Sequence, residues 1–260
     1  MDMSDKARAA ALIGGARKRL EPLPGLPDGC RPQTLKDAYE IQELVVKGMA
    51  RPVGWKVGAT AKKVQELMGA DEPFAGRLIE GCVHQSPAVI PAAKSLTRKV
   101  EIEYAFRLAN DLPALGAPYD RDSVVAAVDA LYPALELPDT RYSDWLSRGV
   151  LQIIADNGGG GHFVMGEAVA DWRRVEIVDR EVSISFDGEE VTRGSGARVM
   201  GDPLLSLAWL ANDAASHGRD LLAGEIITTG SCADIVSPDV GVTVVGDFGD
   251  LGKVSVVYAT

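Results

Sequence analysis

Apolar residues recur with helical spacing at the start of the chain and with strand spacing over most of the rest. Residues 4–20 place Ala7, Ala10, Ala11 and Ile13 on one face and end in Arg17, Lys18 and Arg19, which predicts a helix. Pro22, Pro24, Gly25, Pro27 and Gly29 break it into a loop. Thr34 then caps a second predicted helix to about Ala50, with Ala38, Ile41, Leu44 and Val45 on one side. From Pro52 the period becomes two, with Val53, Trp55 and Val57 alternating with Gly54, Lys56 and Gly58. The pattern next predicts a short helix over 61–68, strand-like runs near 77–79 and 88–90, and a strand over 100–108. A helix over 121–131 follows, ended by Pro133, and then an extended run from Ala134. Asp187-Gly188 between two strand-like runs signals a hairpin. Asp202 and Pro203 open a late helix with a broad leucine face, His217 in its last turn and Gly218 at its end. A strand over 225–231 and two more at 242–245 and 253–258 close the chain. Many strands, few helices and long connections predict an α+β roll rather than a doubly wound sheet. Residues 1–51 form a candidate helical lid or subdomain on a core of residues 52–260.

The strand over 100–108 carries the first candidate chemistry. Val100, Ile102, Tyr104, Phe106 and Leu108 share one face; Glu101, Glu103, Ala105 and Arg107 share the other. Two carboxylates side by side either face water or share a cation. Glu136 is the lone charge between Leu131 and Leu137, where a buried carboxylate must be protonated, paired or metal-bound. A structural pair with Arg141 is the plain alternative. Lys56 lies between two same-face glycines, which either mark turns or let a ligand approach the lysine. Asp156-Asn157 runs into Gly158–Gly161, which reads as a tight turn because no Lys-Ser/Thr pair or helix follows. Thr229, Gly230 and Ser231 end a strand in a turn that either presents N–H groups to an anion or is a plain strand end.

Composition narrows the partners. The 260 residues are 46% apolar, enough for a real core, and the formal charge is −10. That balance argues against nucleic acid and an anionic membrane surface. Three cysteines (Cys30, Cys82 and Cys232) show no metal-like spacing. With no signal-peptide pattern and no apolar run approaching the ~20 residues of a membrane span, the expectation is a soluble, cytoplasmic protein. A nucleophilic Cys232 lacks any sequence feature pairing it with His84, His162 or His217.

Taken together, the chain resembles the 2-keto-4-pentenoate hydratase family of the fumarylacetoacetate hydrolase superfamily over nearly its whole length. The resemblance rests on Gly54-Trp55-Lys56-Val57-Gly58-Ala59-Thr60, Val100-Glu101-Ile102-Glu103, Pro133-Ala134-Leu135-Glu136, Ala155-Asp156-Asn157, Trp209-Leu210-Ala211 and Ala223-Gly224-Glu225-Ile226-Ile227-Thr228-Thr229-Gly230, in that order. It implies a β-roll core and a divalent metal, Mg²⁺ with Mn²⁺ as an alternative, on Glu101, Glu103 and Glu136. It also implies a homo-oligomer acting on small 2-oxo or 2-hydroxydienoic acids from aromatic ring cleavage. All-oxygen ligands suit a hard cation. In that scheme Lys56 handles charge or a proton at the 2-oxygen, Thr229, Gly230 and Ser231 hold the carboxylate, and Asp156 and Asn157 orient water.

Three departures stand out. Hydratases of this family usually carry Pro-Asp-Phe/Tyr-Gly where this chain reads Pro73-Phe74-Ala75-Gly76, so an acidic residue is absent. The usual Gly-His-Pro is Gly201-Asp202-Pro203, which preserves helix capping. Ser231-Cys232-Ala233-Asp234 is more polar than the common form and suggests a different substrate tail. The rival readings are a decarboxylase of a 2-oxo diacid such as 4-oxalocrotonate, an acylpyruvate-type C–C hydrolase, and a non-catalytic 2-oxo-acid binding protein.

Overall fold

The computed structural model describes residues 1–260, the side chain of Leu146 excepted. Helix α1 (Met3–Arg19) starts at Asp2, whose side chain accepts from Asp5 N–H. Helix α2 (Leu35–Lys47) starts at Thr34, whose hydroxyl accepts from Asp37 N–H. The two helices pack on each other, and α2 also packs on α5 (Val150–Ala155). Their buried faces, with Ile13, Ala38 and Ile41, join the main hydrophobic core. Gln42, fully buried, donates to the carbonyls of Ala75 and Ile154 and links α2 to the body.

A seven-stranded mixed sheet organises the rest. Its strands are β1 (Pro52–Gly58), β2 (Phe74–Ile79), β3 (Val83–Gln85), β5 (Glu101–Leu108), β6 (Val128–Leu137), β7 (His162–Met165) and β10 (Ile226–Ser231). They run in the order β2-β1-β10-β5-β6-β7-β3. A five-stranded sheet packs against it, built from β4 (Ala88–Pro91), β8 (Glu181–Phe186), β9 (Glu189–Ser195), β11 (Thr243–Asp247) and β12 (Lys253–Ala259). Ile102, Tyr104, Leu135, Val244 and Val256 fill the core they share. The hairpin β8–β9 turns at Asp187 and Gly188, both at positive φ, as their residue types favour. Helix α6 (Pro203–Ser216) is capped by Asp202, which accepts from Leu204 N–H. Helix α3 (Lys62–Met68) ends at Gly69 in the left-handed conformation.

The helix predicted over 121–131 is a correction. Helix α4 (Arg121–Ala127) ends four residues earlier, and Val128 begins β6. Strand pairing overrides the helical spacing of the apolar residues. Every position from Ala130 to Leu137 is buried, and the register with β5 runs from Leu108–Val128 to Glu101–Glu136. Pro133 lies inside that strand, where its carbonyl accepts from Gly166 N–H.

Candidate active site

The register of β5 and β6 sets Glu101 directly opposite Glu136, with Glu103 two residues along the same face. One oxygen of each carboxylate lies within 4.8 Å of the others. Glu103 and Glu136 are buried and Glu101 is half-buried, which overturns the solvated-face alternative. Their face of the sheet continues into a second apolar cluster with Ala105, Tyr132, Ala134, Phe163 and Ile226.

Glu103 Oε2 is held by Gly230 N–H at 2.8 Å and by the hydroxyl of Thr228. Its other oxygen and both oxygens of Glu136 are buried without a hydrogen-bond partner among the described residues. Burial, reinforced by the charges of Glu136 and Glu101, holds the Glu103 carboxyl well above its ordinary range. Burial likewise pushes Glu136 up to about 7, although Lys56 opposes the rise. Buried acceptor-only oxygens converging on one point, at this electrostatic cost, fit a hard divalent cation.

Lys56, on β1, completes the cluster. Its Nζ lies 3.2 Å from Glu136 Oε1 and donates to the Gly158 carbonyl at 3.0 Å. Burial disfavours its charge, but Glu136, Glu101 and Glu103 outweigh that and hold its pKa above the ordinary value. The alternative Glu136–Arg141 pair does not form. Arg141 instead pairs with Asp139, its neighbour in the loop after β6.

The glycines beside Lys56 serve protein packing. A Cβ on Gly54 would stand 2.0 Å from the Ile226 carbonyl oxygen, and one on Gly58 would stand 2.6 Å from the Phe74 ring. The Phe74 ring itself lies 5.6 Å from Lys56 Nζ. Gly230, at φ +113°, sits where a Cβ would meet Thr60 Oγ1 at 2.2 Å.

The remaining sequence candidates fall in distinct places. Thr229 turns its hydroxyl away from Glu103 to the Tyr104 carbonyl, 2.9 Å away, while Ser206 donates to the Thr229 carbonyl. Ser231, half-buried, donates to the Ala233 carbonyl. Asp156 is fully buried and accepts from Arg17 Nε at 2.6 Å, Thr140 Oγ1 at 2.9 Å and Arg141 N–H at 2.6 Å. Asn157 binds both main-chain groups of Arg77 on β2. Sequence reasoning missed Thr228, whose hydroxyl holds a site carboxylate, and Arg17. Strand alternation could have found Thr228, since it shares a face with Ile226 rather than with Thr229. Burial and the Glu103 charge push the Cys232 thiol up, which removes it as a nucleophile. Among the described residues no helix is long and apolar enough to cross a membrane.

No family model matches the chain. Among curated proteins it is 32% identical to a 2-keto-4-pentenoate hydratase of Paraburkholderia xenovorans over 241 residues, covering 91% of this chain and 88% of that one. It is 31% identical to a 2-hydroxyhexa-2,4-dienoate hydratase of Comamonas testosteroni over 222 residues, 83% of each. Among solved structures, the 4-oxalocrotonate decarboxylase of Pseudomonas putida G7, complexed with magnesium and adipate, superposes with a TM-score of 0.93 at 27% identity, over 99% of this chain and 98% of that one. A fumarylpyruvate hydrolase of Pseudomonas aeruginosa, at a TM-score of 0.60 and 15% identity over 81% of this chain and 90% of that one, shares the fold. By these nearly full-length matches the chain belongs to the 2-keto-4-pentenoate hydratase family, and it shares the fold of fumarylacetoacetate hydrolases.

Proposed function

We propose that the protein is a metal-dependent hydratase that adds water to 2-hydroxy-2,4-dienoates or the corresponding 2-oxo-enoic acids in aromatic ring-cleavage catabolism. The observation that carries this reading is the set of buried oxygens on Glu103 and Glu136 that no hydrogen bond satisfies, beside Glu101 and with the Lys56 ammonium 3.2 Å from one of them. The hydratases among its relatives point the same way. Glu101, Glu103 and Glu136 would hold Mg²⁺, or Mn²⁺ in its place. A bound divalent cation supplies Lewis-acid polarisation of a 2-oxo group.

The chain's own groups do the rest. Lys56 donates toward the substrate's 2-oxygen and offsets the surplus negative charge of three carboxylates over one divalent ion. Thr228 and Gly230 N–H keep one oxygen of Glu103 occupied, so that its other oxygen faces the site. Gly230 and Ser231 wall the end of β10 where the substrate carboxylate lies, and Thr229 braces that wall from the opposite face. Asp156 and Asn157 act on water and substrate indirectly, by fixing the turn that touches Lys56. The helices of residues 1–51 close one side of the site as a lid. A homo-oligomeric state and a cytoplasmic location belong to the same reading.

Decarboxylation of a 2-oxo diacid is the second reading, favoured by the decarboxylase structure and by Phe74. At this position an apolar ring faces Lys56. The test is an ultraviolet assay of chelator-treated protein with 2-hydroxypenta-2,4-dienoate and 4-oxalocrotonate, with and without Mg²⁺. Metal-dependent loss of the dienoate chromophore, with a 4-hydroxy-2-oxo acid as product, supports hydration. CO₂ release from the diacid moves the protein to the second reading, and no turnover of either overturns both.

A further inference from the structure

The turn that follows α5 gathers distant parts of the chain around Lys56, and its firmest anchor comes from the first helix. Asn157, Gly158 and Gly159 all hold positive φ, at 55°, 61° and 69°. For Asn157 that is the left-handed region, which asparagine adopts more readily than most residues with a side chain. The Gly158 carbonyl accepts from Lys56 Nζ, and the Gly159 carbonyl accepts from Asp139 N–H. Asn157 clips the turn to β2 through both main-chain groups of Arg77.

Arg17 closes the arrangement with three different nitrogens. Nε donates to Asp156 Oδ1 at 2.6 Å, Nη2 to the Asp156 carbonyl at 2.7 Å and Nη1 to the Gly160 carbonyl at 3.0 Å. The Arg17 side chain is 12% exposed and that of Asp156 is 0%. The other oxygen of Asp156 is filled by Thr140 and Arg141 N–H. The proton inventory of Asp156 is therefore closed, and it works as a clamp.

We infer that Arg17 is a positioning residue for Lys56: by gripping both ends of the turn, at Asp156 and Gly160, it fixes the Gly158 carbonyl that aims the Lys56 ammonium. This rests on the reading of Lys56 as the group that acts on substrate. A planar guanidinium matches three acceptors in fixed directions, whereas a lysine brings the same charge on one nitrogen. The arginine would therefore be irreplaceable for geometry and replaceable for charge.

The experiment compares wild type, Arg17→Lys and Asp156→Asn. Mg²⁺ affinity by calorimetry and KM should stay within about threefold. Turnover should fall about 10²-fold, the scale of a misplaced reacting group. Independently of activity, brief acetic anhydride treatment of metal-free protein, read by peptide mass spectrometry, should acetylate Lys56 about tenfold faster in both variants. Lys6, the buried lysine of α1, should react as in wild type. Unchanged turnover in both variants overturns the inference. So does a parallel rise at Lys6, which would mean that α1 had simply come loose. If wild type turns over neither the dienoate nor the diacid, the functional reading fails instead. Selective acetylation of Lys56 then still upholds the positioning role, and its absence overturns it.

Discussion

Two buried carboxylates raised in pKa make the stability of the metal-free protein depend on pH in a direction opposite to ordinary acid denaturation. Burial pushes Glu136 up to about 7 in the folded chain against 4.5 ordinarily, and burial with the charges of Glu136 and Glu101 raises Glu103 well above its ordinary value too. The native state therefore binds more protons than the unfolded state over this interval. Their contribution is fully present below the ordinary value and is lost as pH rises through the folded value. For Glu136 alone the interval from 4.5 to about 7, at ~1.36 kcal/mol per pH unit, is on the order of 3 kcal/mol. Asp37 acts the other way, because its bond to Lys6 holds it well below the usual carboxylate range. Its contribution is lost only below its ordinary value of 3.8, outside the window of interest.

Divalent cations bind the deprotonated carboxylates, so Mg²⁺ should stabilise more as pH rises. Thermal unfolding at pH 5.5, 7 and 8, in chelator or in Mg²⁺, measures both effects. The chelated protein should lose several degrees between pH 5.5 and 8, at roughly 2–4 °C per kcal/mol for a chain of this size. Mg²⁺ should restore them mainly at pH 8. Glu103→Gln should flatten the chelated profile, melting above wild type at pH 8 without metal and below it with metal. A Mg²⁺ effect of equal size at pH 5.5 and 8, or a Glu103→Gln variant that is less stable than wild type in chelator at pH 8, would refute the reasoning.

Three further outcomes follow from the geometry. Lys56→Met should keep Mg²⁺ binding by calorimetry yet lose roughly 10²–10⁴-fold in kcat in the dienoate assay. Gly230→Ala, forced to φ +113° with its Cβ 2.2 Å from Thr60 Oγ1, should lose the Glu103 bond and weaken Mg²⁺ at least about tenfold by calorimetry. Gly54→Ala, whose Cβ would stand 2.0 Å from the Ile226 oxygen, should cost more than about 3 kcal/mol in urea unfolding and accumulate as insoluble protein.

The parts of the site that lie on one strand were the most legible. Glu101 and Glu103 share a face because the strand period is two, and no knowledge of the sheet is needed to see it. Glu136 could be singled out by its apolar surroundings, but its partner could not. Arg141 is near in sequence, whereas Lys56 reaches Glu136 across the sheet. The helix predicted through Leu131 failed because Val124, Val125, Val128 and Leu131 fit a helical face just as Val128, Ala130 and Tyr132 fit a strand. Only pairing with β5 decides between them. Strands β3 and β7 pair with each other in parallel but are too short for any period to show. The glycines flanking Lys56 were visible, but their purpose depends on Ile226 and Phe74, contacts the sequence does not display. In sequence Arg17 is one helix-terminal cation among three, and nothing local distinguishes it from Lys18 or Arg19.

The parallel pairing of β1 with β10 has a consequence for how the protein is made. Gly54 meets Ile226 and Lys56 meets Thr228, so the middle of the large sheet closes across most of the chain. Such distant pairing is slow, because the entropy of closing a long loop is lost before any contact rewards it. On the ribosome, β5 and β6 can pair while β1 still lacks its central neighbour. The carboxylates would then be exposed before Thr228 and Gly230 emerge to orient Glu103. Metal capture thus becomes a late event in biogenesis, and a nascent chain stopped before β10 should show no protection by Mg²⁺.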